Sequence, residues 1–369
     1  MFHLIRWRFA ARLVFLFLAG FATARAASVA AMPHVGADDP RFSYEGRIDR
    51  ANPREPVLIW SATRVRIDFE GPTLAVDFDG GVGQNFFNAT VDGVTTVLGP
   101  KADGPVRLSV PVPAGRSRHT FDLFKRSEAA AGQIRFTGID VADGATVTRT
   151  ALPVHRPRFA FFGDSIMVGA CNEDGAADQW EDRRTHNNAL SYTALTAAAF
   201  GADTQCIAIS GMGISIGFVK IVAAEAWDRM YPSADAARDD LALWPPDLVF
   251  INYGENDSGY PSSHGLPFPS DYTPRYVSLV RTMRTAFPQT HFVLLRGGMG
   301  GGANNPKLRS AWEEAVAELE KSDPGVSHFV FQHWSKLHPR VADDRAMADE
   351  LVAWLRQQSF VSALRIDGT

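Results

Sequence analysis

Arg158-Phe159-Ala160-Phe161-Phe162-Gly163-Asp164-Ser165-Ile166 sets an apolar run against a polar Gly-Asp-Ser end. A run of this length closed by Gly predicts a buried strand over 158–163 that ends in a turn. Open α/β sheets place their chemistry just beyond the carboxyl ends of strands. Ser165 stands at that place and is the candidate nucleophile. The competing reading is an ordinary strand-end turn, in which Asp and Ser hydrogen-bond nearby backbone. The rest of the chain weighs one against the other.

Downstream, strands and helices alternate. Strands are expected at 158–163, 204–210, 247–253, 291–296 and 328–332. Helical patterns fall near 190–200, 216–230, 272–287, 306–321 and 342–357. Such alternation implies a parallel sheet with helices on both faces. The expectation for 152–369 is therefore an α/β three-layer domain with a five-stranded parallel sheet. Its strand ends bring four pieces to one edge: Gly163-Asp164-Ser165, Ser210-Gly211-Met212-Gly213, Gly254-Glu255-Asn256-Asp257 and His338-Pro339. A Ser hydroxyl needs a base to take its proton, and His titrates near neutral pH. A tetrahedral oxyanion needs donors already in place, such as a backbone N–H in a Gly turn or an Asn amide.

The amino-terminal half has a different rhythm. From 42 to 150 short runs alternate with period two, as in Arg64-Val65-Arg66-Ile67-Asp68-Phe69 and Leu74-Ala75-Val76-Asp77-Phe78. Asp92-Gly93 is a hairpin-type turn. Many short strands with Gly, Pro and Asp turns predict an all-β jelly-roll sandwich. It could bind glycan or serve as a packing partner; Trp60 and Phe86 are equally readable as core. Lys125-Arg126-Ser127-Glu128 reads, on composition, as a solvated strand end. Residues 27–41, small and polar, read as a flexible lead-in. Residues 1–26 combine Arg6, Arg8 and Arg12 with a short apolar stretch and Ala24-Arg25-Ala26, the pattern of a secretory signal peptide. Export to the periplasm or the medium is expected. No later run is long enough for a membrane span.

Removing residues 1–26, which hold four Arg and no acid, takes the formal net charge from −4 to −8. That balance argues against nucleic acid as a partner. Cys171 and Cys206 are the 2 cysteines; they are readable as one bridge or as two buried thiols. No Cys/His pattern has zinc spacing.

In their order, Ser165, Gly211, Asn256 and His338 make the chain resemble the SGNH, or GDSL-type, hydrolase superfamily. It is similar to the two-domain acetyl esterases of carbohydrate esterase family 2, which carry a jelly roll before the SGNH domain. Gly163-Asp164-Ser165-Ile166, Leu190-Ser191-Tyr192, Pro246-Asp247-Leu248-Val249, His338-Pro339, Phe87-Asn88 and Lys125-Arg126-Ser127-Glu128 carry that likeness across most of the chain. The resemblance implies Ser165 as nucleophile and His338 as base. It implies the Ser165 N–H, the Gly211 N–H and the Asn256 side chain as oxyanion hole, and deacetylation of acetylated carbohydrate such as xylan or glucomannan as the reaction, with no metal or organic cofactor. The sequence departs from the pattern at 335. Where the superfamily often has the Asp that orients the His, this chain has Ser335, followed by Lys336. Either another group orients His338, or activity is low.

Two other readings compete. Gly213-Ile214-Ser215-Ile216-Gly217 fits G-x-S-x-G and would make Ser215 the nucleophile of an α/β-hydrolase. Five strands are few for that fold, and no HGGG-type segment precedes it. Gly297 to Gly302 lacks the Lys-Ser/Thr of a phosphate loop and reads as a mobile loop at the site's edge. The functional alternatives to a secreted carbohydrate esterase are a catalytically retired glycan-binding protein and an SGNH esterase for lipid or thioester substrates.

Overall fold

The computed structural model describes residues 32–101 and 104–364. The expected signal peptide lies outside the described residues. Two antiparallel sheets of six strands face each other in the first half. Gly132–Val141 and Leu74–Gly83 lie at the centre of one sheet, and Arg64–Glu70 and Arg118–Lys125 at the centre of the other. Val65, Ile67, Phe69, Val76, Phe78, Phe121, Leu123, Ile134 and Phe136 point inward and pack as one core. That is the period-two pattern acting as a burial pattern. Asp92 (φ 51°) and Gly93 (φ 84°) both take positive φ, the geometry of a tight hairpin turn.

Two expectations for this half need correction. Within the proposed lead-in, His34–Gly36 pairs antiparallel with Gly138–Asp140, and Val35 is buried. Edge strands of small residues carry too weak a periodicity to announce themselves. Lys125-Arg126-Ser127-Glu128 is not solvated. All four residues are buried where the sandwich meets the second half; Arg126 pairs with Glu173, Glu128 with Arg183, and Lys125 is held by main-chain carbonyls.

The second half builds the expected parallel sheet. Its spatial order is Asp203–Ala208, Arg158–Gly163, Leu248–Asn252, His291–Arg296, Val326–Val330, or 2-1-3-4-5 in sequence. Alternate residues of these strands feed two cores. Ala160, Phe162, Val249, Ile251, Phe292 and Leu294 pack with helices Tyr272–Ala286 and Pro306–Ser322. Phe159, Phe161, Leu248, Phe250, Val293 and Leu295 pack with Tyr192–Ala199 and Val341–Leu355. The first strand lies between the second and the third, so the strand order reverses there. Ligands of doubly wound sheets bind at that reversal, beyond the carboxyl ends.

The helix expected over 216–230 shrinks to Ala223–Ala226. The reason lies just upstream. The amides of Ile214, Ser215 and Ile216 donate to the Asp257 carboxylate, and those of Phe218 and Val219 donate to the Gly211 carbonyl. These contacts, with the Ala223 amide donating to the Gly213 carbonyl, fold 211–222 back on itself as a loop, and the helical turn begins only at Ala223. The glycine-rich segment is likewise held. Gly300–Asn304 forms a short helix whose Gly301 and Gly302 amides donate to Glu255 at 2.8 and 2.6 Å. Both cysteines are free and buried. No helix among the described residues is long and apolar enough to cross a membrane.

Candidate active site

Ser165 opens a single helical turn, Ser165–Val168, directly after the first parallel strand. Asp164 caps that turn by accepting from the Ile166 amide at 3.2 Å. Gly163 is required there, because a Cβ would meet the Met167 sulfur and the Asn252 carbonyl. The turn brings the Ser165 hydroxyl to the carboxyl edge, where His338 meets it. Ser165 Oγ lies 2.8 Å from His338 Nε2. The other ring nitrogen, Nδ1, lies 2.7 Å from Asp178 Oδ2.

Asp178 is the residue that sequence reasoning missed. The orienting carboxylate comes not from position 335 but from the connection between the first strand and helix Tyr192–Ala199. Ser335 is occupied differently: its amide donates to the Gly298 carbonyl at 3.1 Å, in a parallel bridge with Met299. The one available signal for Asp178 was the length and polarity of the segment that follows the nucleophile turn. It has no hydrophobic period, so nothing in it singled out one of its acids.

Several contacts hold Asp178. Arg340 Nη1 donates to Asp178 Oδ1 at 2.8 Å and to the His338 carbonyl at 2.9 Å, while its Nε donates to the Gly175 carbonyl at 3.0 Å. Burial alone would raise the Asp178 carboxyl, but the hydrogen bonds from His338 and Arg340 outweigh it and hold the group well below the ordinary carboxylate range. Asp178 thus stays ionised, and an ionised partner fixes the His338 tautomer with Nε2 free to accept from Ser165. Trp180 sets its edge against the His338 ring at 5.1 Å and 78°.

Gly211 and Asn256 come to the same place. Ser165, Ser210, Gly211, Asn256 and His338 line one cavity of about 470 Å³, with Trp180, Arg183, Phe218 and Met299 among its walls. Gly211 takes φ 84°, a conformation that glycine adopts without strain. Asn256 lies in the first turn of helix Glu255–Ser263. Its Nδ2 donates to Asp164 Oδ2 and to the Met212 carbonyl, both at 3.0 Å. Both amide hydrogens are therefore engaged by protein acceptors. Asp164 is fully enclosed, and burial pushes its carboxyl well above the usual range.

Ser215 is not part of this arrangement. Its hydroxyl is sealed from solvent and does not line the cavity. The G-x-S-x-G segment uses its backbone instead, wrapping three amides on Asp257, the neighbour of Asn256. Cys171 lies beside this pair: Cys171, Asp178 and His338 bring ligand-type atoms within 4.8 Å of one another. Asp178 and His338 are engaged with each other there, and burial raises the Cys171 thiol far above its ordinary value.

Comparison with known proteins adds the following. Residues 44–150 match the family model described as carbohydrate esterase 2 N-terminal, and residues 161–356 match that of the GDSL-like lipase/acylhydrolase family. Cellulase/esterase CelE of Acetivibrio thermocellus is 28% identical over an alignment of 334 positions that covers 87% of this chain but 40% of that protein. An acetylxylan esterase / glucomannan deacetylase of Cellvibrio japonicus is 27% identical over 81% of this chain and 85% of its own length. The structure of a family two carbohydrate esterase from Clostridium thermocellum in complex with cellohexaose superposes with a TM-score of 0.77 at 26% identity, covering 85% of this chain and 98% of that one.

Proposed function

The chain belongs to the GDSL-like lipase/acylhydrolase family, in its carbohydrate esterase 2 form, and on that premise we propose that it removes O-acetyl groups from carbohydrate through an acetyl-enzyme on Ser165. The observation that carries this reading is the continuous chain Ser165 Oγ, His338, Asp178, with links of 2.8 and 2.7 Å, at the reversal point of the sheet.

In the proposed mechanism His338 Nε2 takes the Ser165 proton as Oγ attacks the acetyl carbonyl carbon. The imidazolium that forms is stabilised by Asp178, whose charge Arg340 balances. The Ser165 and Gly211 amides and Asn256 receive the oxyanion, Asn256 exchanging one of its two protein contacts for it. His338 then gives the proton to the departing sugar oxygen. Water, deprotonated by the same nitrogen, attacks the acetyl-enzyme and releases acetate, and the proton returns to Ser165. Every step is an acyl transfer with no change of oxidation state.

Acetylated xylan and glucomannan are the proposed substrates, on the strength of the Cellvibrio relative's name. The reading as a retired binding protein drew its support from Ser335, and Asp178 supplies the carboxylate that Ser335 lacks. Export directed by residues 1–26 is part of the proposal; the mass of the mature chain recovered from the secreting cell checks it. The enzymatic test is acetate release from acetylated xylan and glucomannan by the mature protein. Release that is abolished by Ser165→Ala supports the reading. A wild type that hydrolyses only long-chain esters or thioesters would move the substrate class to lipid.

A further inference from the structure

The sandwich reaches into the catalytic site through one buried side chain. Glu128 is 1% exposed and belongs to the first half of the chain, yet both of its carboxylate oxygens are spent on the second half. Oε2 accepts from the Ser210 amide at 2.8 Å. Oε1 accepts from Arg183 Nη1 at 3.3 Å. Ser210 immediately precedes Gly211. Arg183 lies over the Trp180 ring at 4.8 Å, and Trp180 in turn packs its edge on His338. One carboxylate thus touches both sides of the cavity: the Gly211 turn on one and the wall beside the imidazole on the other.

The backbone that carries Glu128 is itself fixed. Lys125 Nζ, fully buried, donates to the Ser127 carbonyl at 3.0 Å and to the Glu128 carbonyl at 3.4 Å. Arg126 Nη1 donates to Asn88 Oδ1 at 3.0 Å, and Arg126 also pairs with Glu173, in the connection that carries Asp178. The Asn188 amide donates to the Arg126 carbonyl at 3.0 Å. Arg183 is held at its backbone too, its amide donating to Gln84 Oε1 at 3.0 Å, while Gln84 Nε2 donates to the Glu181 carbonyl at 2.6 Å. Mere attachment of the two halves would not require a charged group to be buried at the amide next to an oxyanion donor. Burying a carboxylate is costly unless each oxygen is answered, and here each is.

We propose that Glu128 is a positioning residue of the esterase site, holding the Ser210–Gly211 turn and the Arg183–Trp180 wall in register from the sandwich side. This rests on the reading of Gly211 as an oxyanion donor given above. The sandwich is then a structural part of the active site. Glu128→Gln keeps shape and volume but offers only one acceptor oxygen, so either the Ser210 amide or Arg183 loses its partner. Small misplacements of a donor cost about 100-fold.

The experiment uses the full mature chain with 4-nitrophenyl acetate as probe. Active sites are counted by titration with diisopropyl fluorophosphate, and a boronic acid reports the tetrahedral adduct. Glu128→Gln is expected to lower kcat per titrated site by roughly 10- to 100-fold, with KM within about threefold, and to weaken boronate binding in parallel. Arg183→Met, which removes one of the two contacts, is expected to lower kcat by a smaller factor. A Glu128→Gln protein with unchanged kcat per titrated site, its loss confined to melting temperature or to the fraction of active molecules, overturns the proposal. A wild type that neither turns over the ester nor is titrated at Ser165 overturns the esterase reading itself and takes this proposal with it.

Discussion

Gly163-Asp164-Ser165-Ile166 and Gly213-Ile214-Ser215-Ile216-Gly217 look alike on paper. Each places a Ser two residues after a Gly, downstream of a parallel strand, and each lies in the neighbourhood of a buried acid. In the first, the side chain faces outward: Ser165 Oγ meets His338 at 2.8 Å above an open cavity. In the second, the backbone faces the function and the side chain is sealed: three amides converge on Asp257 while the Ser215 hydroxyl is shut away from solvent. A serine motif therefore acquires chemistry from what lies opposite it, and Ser165 has a base where Ser215 has a wall. The second segment still serves the first, because Asp257 anchors the helix turn that presents Asn256.

The largest expected contrast is between the two serines themselves. Ser165→Ala should lower turnover of 4-nitrophenyl acetate by roughly 10⁵- to 10⁶-fold, as removal of a serine nucleophile does elsewhere, while Ser215→Ala should stay within about threefold of wild type. A dead Ser215→Ala with a live Ser165→Ala would invert the comparison. Next comes Asp178→Asn, for which kcat should fall by about 10⁴ with folding intact, the amide permitting the wrong imidazole tautomer. Near-normal kinetics in Asp178→Asn would mean that Ser165 and His338 act as a dyad.

Asn256→Ala should reduce kcat by about 10² to 10³ with a smaller change in KM, the usual cost of one oxyanion donor. If KM alone rises, Asn256 binds substrate and does not stabilise the oxyanion. The smallest effect is one of pH. A carboxyl depressed in the folded state contributes stability that is present above its unfolded value, near 3.8, and lost as pH falls through its lower folded value. Asp178 is such a group, so it remains charged down to pH values well below the ordinary carboxylate range. The acid limb of kcat/KM should therefore carry no contribution from Asp178 and have a limiting slope of about one. A slope of two would show that Asp178 or a second group loses its charge there.

Parts of this were open to reading along the chain. The pieces Ser165, Gly211, Asn256 and His338 were legible as candidates because each follows an apolar run that reads as a parallel strand. The hairpin at Asp92-Gly93 was legible from its turn residues. Asp178 was not, since the connection that carries it has no period and holds several acids. Nor was the burial of Lys125 and Glu128. Composition places charge at the surface by default, and only a partner from another part of the chain overrides that default. In the folded protein Lys125 is pushed down to about 7 by burial and survives on main-chain carbonyls.

By itself the sequence determined the alternation of strand and helix, the all-β character of the first half and the convergence of four site residues on one sheet edge. Those features follow from local period and from the fact that parallel strands all end on the same side. Only the tertiary structure decided which acid meets His338, which of two serines faces an imidazole, and that Glu128 of the sandwich accepts from the Ser210 amide. Each of those is a meeting of groups far apart in sequence, and no local pattern encodes a distance between segments that become neighbours only when the cores are packed.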